Sequence, residues 1–228
     1  MIITIDGPAG TGKSSVAQAA AEKLAFDFLD TGAMYRAVAL CALRRNAHLE
    51  DQRELAFIAR AAKIVFDFTR KPPALTLNGE EITHQLRGSD VTRAASFVAQ
   101  VPEIRQLLVA QQRAIGAARP NLVTEGRDQG SVVFPDAELK IFLDAAPAER
   151  ARRRAAQLRA RGEIADMEEI QRQIVERDTR DSKRSVGPLT RPKDAHVIDT
   201  THLSQDQVVQ QIVDLAHGKS SPTIPPRN

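Results

Sequence analysis

The chain has 228 residues and a mass of 25.0 kDa, with 42% hydrophobic and 27% charged residues. That is enough to bury one compact core and the wrong mixture for a disordered or fibrous polymer. Thirty-two basic and 29 acidic residues leave a formal charge of +3, too small to indicate a partner, and the single cysteine, Cys41, excludes a disulfide framework or a cysteine-rich metal site. No stretch approaches the roughly 18–20 apolar residues of a membrane-spanning helix. Met1 to Asp6 lacks the basic lead and long apolar run of a signal peptide, so the expected location is the cytoplasm.

Residues 2–5 form a β-branched run stopped by Gly7 and Pro8, which predicts a short buried strand. Gly7-Pro8-Ala9-Gly10-Thr11-Gly12-Lys13-Ser14 then fits G-x-x-x-x-G-K-[ST] at every fixed position. The glycines let successive N–H groups turn inward as a nest for phosphate oxygens. The helix that follows adds its unpaired N–H groups and positive dipole end. Residues 13–24 show helical spacing, with Val16, Ala17, Ala20, Ala21 and Leu24 on one face. A strand, this loop and a helix in succession form the context that gives the motif its meaning: residues 7–15, Ser15 included, are expected to hold a nucleoside triphosphate. Lys13 is expected on its β- and γ-phosphates and Ser14 on Mg²⁺.

Further on, a strand ends at Phe28-Leu29 and runs into the polar turn Asp30-Thr31-Gly32-Ala33-Met34, with Arg36 one helical turn later and a helix expected over 35–45. Residues 64–68 and 74–77 are short strand candidates around Lys71-Pro72-Pro73, with Asn78-Gly79 as a tight-turn signal. They read as a small antiparallel insert over about 62–90. Helices are expected over 102–118, 148–161, 167–180 and 204–217, and strands over 121–124, 139–143 and 197–198. Glu125-Gly126-Arg127-Asp128 follows directly on one of these strands, where two acids and an arginine are costly unless paired or liganded. The fold class is therefore α/β: a P-loop NTPase with a central parallel sheet flanked by helices. The tail, 218–228, has three prolines and no periodicity and reads as disordered. The five histidines read as surface residues, Cys41 as a buried structural thiol, and Phe66, Phe68, Phe134 and Phe142 as core.

None of the asparagines is followed by lysine, so the Asn-Lys-x-Asp guanine reader of a GTPase is absent, and the chain is short for a motor ATPase. Small chains with this loop are most often kinases of small molecules, an argument from fold analogy. The chain resembles the bacterial cytidylate kinase family, which phosphorylates CMP and dCMP with ATP. The carrying segments are residues 5–14, Leu29-Asp30-Thr31-Gly32-Ala33-Met34-Tyr35-Arg36, Glu125-Gly126-Arg127-Asp128, residues 132–137 with 140–143, and Arg177-Asp178-x-Arg180-Asp181-Ser182-x-Arg184. The match is collinear over about residues 2–215. A kinase of shikimate or gluconate is the competing enzyme reading, and the Gly-Gly-Gly run usual in shikimate kinases is missing. A nucleic-acid-binding protein is the other class weighed; 4% aromatic residues argue against stacking-based binding.

The resemblance implies ATP and Mg²⁺ as cofactors, CMP and dCMP as substrates, no nucleic-acid or membrane partner, and a monomer. It puts Arg36 on the acceptor phosphate and Thr31 near the base. Ser96 and Arg105 take the ribose and the base or phosphate, and Arg127 a phosphate. Asp128 contacts the base, Arg177 and Asp181 the sugar, and Arg184 the cytosine. Lys13, Arg127 and Arg177 are the implied catalytic residues, and Glu125 joins Ser14 at the metal. It also implies a monophosphate-binding insert at about 62–90 and a helical lid at about 151–189, on a core of 1–61, 91–150 and 190–217. Residues 150–191 hold twelve basic residues against seven acidic, a charge of +5 that suits a lid closing over phosphates. Arg154 is the lid arginine expected on ATP.

Overall fold

In the computed structural model, which describes residues 1–160 and 162–220, the first strand β1 (Ile2–Asp6) lies at the centre of a five-stranded parallel sheet. Its neighbours are β6 (Leu122–Glu125) and β7 (Leu139–Asp144), with β2 (Asp27–Asp30) and β8 (His196–Asp199) on the two edges, in the order β2-β6-β1-β7-β8. Ile3 and Ile5 are fully buried, as a strand covered on both faces requires. The register sets Ile5 and Asp30 both opposite Glu125, so Asp6, Asp30 and Glu125 end together at the carboxyl edge of the sheet. That is where open α/β sheets bind ligands.

One face of the sheet is covered by α1 (Lys13–Leu24) and α8 (Gln205–Ser220), through Val16, Ala17 and Ala20 of the first and Val208, Val209 and Ile212 of the second. The other face carries α2 (Thr31–Arg44), α3 (Gln52–Ala61), α4 (Ser89–Val98) and α5 (Pro102–Ala117). Helix α2 starts four residues earlier than its periodicity suggests. Asp30 caps it by accepting from Ala33 N at 2.8 Å, so residues 31–34, expected as a polar turn, are its first turn. Helices α3 and α4 are additions to the sequence reading.

The antiparallel insert has three strands, β3 (Ile64–Asp67), β4 (Ala74–Leu77) and β5 (Glu80–Glu81). Asn78 and Gly79, both at positive φ, close the β4–β5 hairpin. Leu75, Leu77, Ile82 and Leu86 bury into the same core as α2 and α3, so the insert leans on the parallel unit. Of the four phenylalanines expected in the core, Phe134 is buried and Phe66, Phe68 and Phe142 are half-buried, Phe66 and Phe68 packing against that core; Phe68 also stacks under Arg119, whose guanidinium carbon lies 3.7 Å from the ring centre. All five histidines are exposed and Cys41 is buried.

Helices α6 (Pro147–Arg159) and α7 (Met167–Ser182) form a hairpin with its own small core of Ala151, Ala155, Ile170 and Ile174. The connection includes Gly162 at φ 75°, and Asp166 caps α7 through Glu168 N and Glu169 N. Helix α8 continues to Ser220, so residues 218–220 of the expected tail are helical; its remainder, 221–228, lies outside the described residues. Among the described residues no helix is long and apolar enough to cross a membrane.

Candidate active site

The loop between β1 and α1 turns on Gly7 at φ 147°, Gly10 at φ 81° and Gly12 at φ 90°. Gly7 passes so close to the Leu143 carbonyl of β7 that a Cβ would collide with it, which ties the loop to the sheet as well as turning it. Helix α1 has no side-chain cap, so its first N–H groups remain open toward the nest. Lys13, only 6% exposed, donates from Nζ to Pro8 O at 2.6 Å and lies 3.4 Å from Thr11 Oγ1. Burial, with the Arg127 charge beside it, brings Lys13 down to about 7. A polyanion in the nest would reverse that. Ser15 closes on Gly12 O at 3.0 Å and faces outward.

Ser14 Oγ donates to Glu125 Oε1 at 2.7 Å across 111 residues of sequence. A hydroxyl and a carboxylate, both hard oxygen donors, thus stand together beside the phosphate nest, and this pair fits a Mg²⁺ whose other ligands come from phosphates and water. No group of three or more His, Cys, Asp or Glu is assembled for a metal among the described residues. Burial, and the neighbouring Asp30, push the Glu125 carboxyl up.

Arginines converge on the same edge from four elements. From α2, Arg36 donates to Asp30 Oδ2 at 2.7 Å. From α5, Arg105 is paired with Asp128 and lies 5.6 Å from the centre of the Tyr35 ring. Arg127, following β6, donates from Nε to Asp181 Oδ2 at 2.9 Å. Arg177 on α7 and Arg184 just beyond it complete the group, Arg184 on the second oxygen of Asp181. Arg177 and Asp181, four apart, share one face of α7, and Arg184 follows just past its end. The group is electrostatically strained. Burial first, then Arg127, hold Arg177 down to about 10, with Arg36 and Arg184 acting the same way. Burial opposes ionisation of Asp181, but Arg127, Arg184 and Arg177 outweigh it and keep the carboxyl below its ordinary value. The Nε atoms of Arg36, Arg105, Arg177 and Arg184 are buried without a hydrogen-bond partner. Cations crowded together with unmet donors are a site built for an anion.

The remaining expected residues sit as follows. Thr31 gives its hydroxyl proton to Glu125 O at 2.7 Å and is 2% exposed, so it braces the strand edge. Ser96 on α4 donates to Arg93 O at 2.8 Å and accepts from Arg180 Nη1 at 2.9 Å, which joins the insert side of the cleft to α7. Arg154 lies half-buried on α6, and Arg150, one turn earlier, donates to the phosphate loop at Ala9 O. Four residues that sequence reasoning assigned no role also belong to the site: Asp6, Gln129, Asp178 and Arg150. Asp6 accepts from Gln129 N and Gly130 N, both at 2.8 Å, and so anchors the segment carrying Arg127 and Asp128 to the strand that carries the phosphate loop. Burial pushes Asp6 up to about 7 against those two bonds. An acid closing a β-branched strand was the available signal for it.

A phosphate nest at the centre of a parallel sheet, with cations gathered at its mouth, puts the chain among the P-loop α/β kinases. The family model for cytidylate kinase matches residues 3–218. Curated cytidylate kinases from Caldanaerobacter subterraneus and Pelotomaculum thermopropionicum are 44% and 46% identical over 212 residues, covering 93% and 92% of this chain and 92% and 93% of theirs. A bifunctional pantoate ligase/cytidylate kinase from Synechococcus sp. is 48% identical over 217 residues, and there the chain spans 40% of the relative's length. The chain belongs to the cytidylate kinase family. A solved structure of an uncharacterized protein from Eubacterium ventriosum shares the fold, at a TM-score of 0.51 and 14% identity over 96% of this chain and 98% of that one.

Proposed function

We propose that the protein transfers the γ-phosphoryl group of ATP to CMP and dCMP. The observation that carries this reading is the set of five arginines gathered with Asp30, Asp128 and Asp181 at the mouth of the phosphate nest. The acceptor is a phosphate monoester, already anionic near neutral pH, so no general base is required; the barrier is the repulsion between two polyanions. Arg36, Arg127 and Arg177 hold the acceptor phosphate and the group in flight, because a guanidinium binds phosphate through two donors and keeps its charge. Lys13 and the N–H groups of residues 10–15 hold the donor phosphates, within the loop of residues 7–15. Ser14 and Glu125 would hold Mg²⁺, which when bound supplies positive charge across the phosphates of the donor.

Asp128 with Arg105, and Arg184, present a donor and acceptor edge that suits cytosine. Ser96 and Asp181 face the sugar; Thr31 supports the strand end behind them. The hairpin of α6 and α7, including Arg154, acts as a lid that excludes water. The reading further takes the protein to be a cytoplasmic monomer that binds no nucleic acid. A coupled ADP-release assay with ATP and a panel of CMP, dCMP, UMP and AMP tests it. CMP and dCMP are expected to be turned over with kcat/KM at least about tenfold above UMP and AMP, a gap of ~1.4 kcal/mol in transition-state binding. Preference for AMP would overturn the assignment of the base.

A further inference from the structure

Asp178, one residue beyond Arg177, lies off the face of α7 that carries Arg177 and Asp181. It reaches the phosphate loop instead. Its Oδ1 accepts from Ala9 N at 2.9 Å, across 169 residues of sequence. Its Oδ2 is paired with Arg150 of α6. Arg150 Nη1 also donates to Ala9 O at 3.1 Å, while its Nε donates to Ala145 O at 3.1 Å, just after β7. Both polar groups of residue 9 are therefore gripped by one ion pair, with one member from each helix of the lid hairpin. The arrangement is tight. Arg150 is 6% exposed, and a Cβ added at Gly10 would touch the Arg150 Cβ at 3.0 Å.

We infer that Asp178 and Arg150 clasp the lid hairpin to the phosphate loop and thereby position Arg177 over the phosphates. The inference rests on the kinase reading of this site. Helix α7 is a rigid rod on which residues 177 and 178 differ by about 100° in direction. Holding Asp178 against residue 9 sets both the rotation and the axial register of that rod. Arg177 stands among like charges, with Nε unpartnered: Arg127 and Arg36 repel it while Asp181 attracts it. A carboxylate on the neighbouring residue, anchored to the loop that holds the donor phosphates, fixes the helix position from which Arg177 projects. Asp178 also places a negative charge within reach of Lys13 and Arg127. It is a positioning residue, acting through Arg177.

Asp178→Ala removes both bonds, and Asp178→Asn keeps an acceptor for Ala9 N while losing the ion pair. In the full chain, Asp178→Ala is expected to lower kcat about a hundredfold, the cost of roughly 1 Å of misplacement. KM for ATP should stay within about threefold, because the nest itself is intact. Exchange of the Ala9 amide, followed by ¹⁵N NMR without nucleotide, should quicken at least about tenfold as its acceptor is lost. Asp178→Asn is expected to recover part of both losses. Adding Arg150→Met to Asp178→Ala should cost little more, since the two act as one unit. The clasp is refuted by unchanged Ala9 exchange in Asp178→Ala, by an unchanged kcat, or by a fall in kcat that a lowered unfolding midpoint accounts for. Should the wild-type chain leave CMP unphosphorylated, the kinase reading fails, and the clasp stands or falls on the exchange measurement.

Discussion

Removing the Asp128 carboxylate exposes how the acceptor side of the cleft is held. Arg105 is 2% exposed and Asp128 is 4% exposed, and they pair almost wholly out of contact with solvent. Burial pushes the Asp128 carboxyl up, against the pull of Arg105 and Arg184. Gly187 lies so close over the pair that any side chain there would strike both groups. Asp128→Ala leaves Arg105 as an uncompensated buried charge, with Nε already unpartnered and Arg184 nearby. Breaking a buried pair from one side costs about 3–5 kcal/mol, a large share of the ~5–15 kcal/mol that holds a domain folded. At about 2–4 °C per kcal/mol for a chain of this size, a loss of ~4 kcal/mol lowers the unfolding midpoint by about 8–16 °C. The assay is thermal and urea unfolding followed by far-ultraviolet circular dichroism. Separate KM values for ATP and CMP, taken below the lowered midpoint, complete it. KM for CMP should rise at least about tenfold while KM for ATP is nearly kept. The double variant Asp128→Ala with Arg105→Met should be more stable than Asp128→Ala alone, because it removes the stranded charge together with its partner. A destabilisation under about 1 kcal/mol for Asp128→Ala, or a double variant less stable than the single one, would refute the reasoning.

Three further outcomes follow from the charges. Lys13 lies at about 7 in the unliganded fold against 10.5 for an unperturbed lysine, so the unfolded chain binds the extra proton between those values, and stability from this group rises with pH across that window. ATP favours the charged form, so binding near pH 8 should take up close to one proton. Calorimetry in buffers of differing ionisation enthalpy reads this; no buffer dependence, or the same dependence in Lys13→Met, would contradict it. Asp6 has the opposite sign: raised from 3.8 to about 7, it remains protonated in the fold where the unfolded chain has lost its proton, and its contribution to stability falls as pH rises across that window. Arg177→Met removes a cation that its neighbours repel. It should leave the unliganded unfolding midpoint unchanged or higher while lowering kcat at least about a hundredfold, a trade of stability for function. A clear drop in midpoint would mean that Arg177 supports the fold.

Strands β1, β6 and β7 and the phosphate loop were legible in the sequence because each is encoded by neighbouring residues: a β-branched run, or glycines at set spacing before a helix. The insert was legible through Asn78-Gly79, whose turn demands positive φ at both positions. Helix α3 carried a signal that was passed over. Asp51 caps it through Arg53 N and Glu54 N, and Glu54 reaches back to His48 N at 3.0 Å. The start of α2 was displaced because Asp30, at a strand end, was read as part of a turn when it is a helix cap.

By itself the sequence determined that this is a P-loop α/β protein, and through resemblance to a family it named most of the cleft's arginines; spacing alone would not have grouped residues 36, 105, 127, 177 and 184. Only the tertiary structure decided who partners whom elsewhere: Asp6 with the backbone of Gln129 and Gly130, Asp178 with residue 9 and Arg150. Those pairs are separated by 28 to 169 residues. The physical reason is one of range. A local pattern selects a backbone conformation, whereas the meeting of two distant side chains depends on strand register, helix rotation and the burial that makes their charges matter to each other.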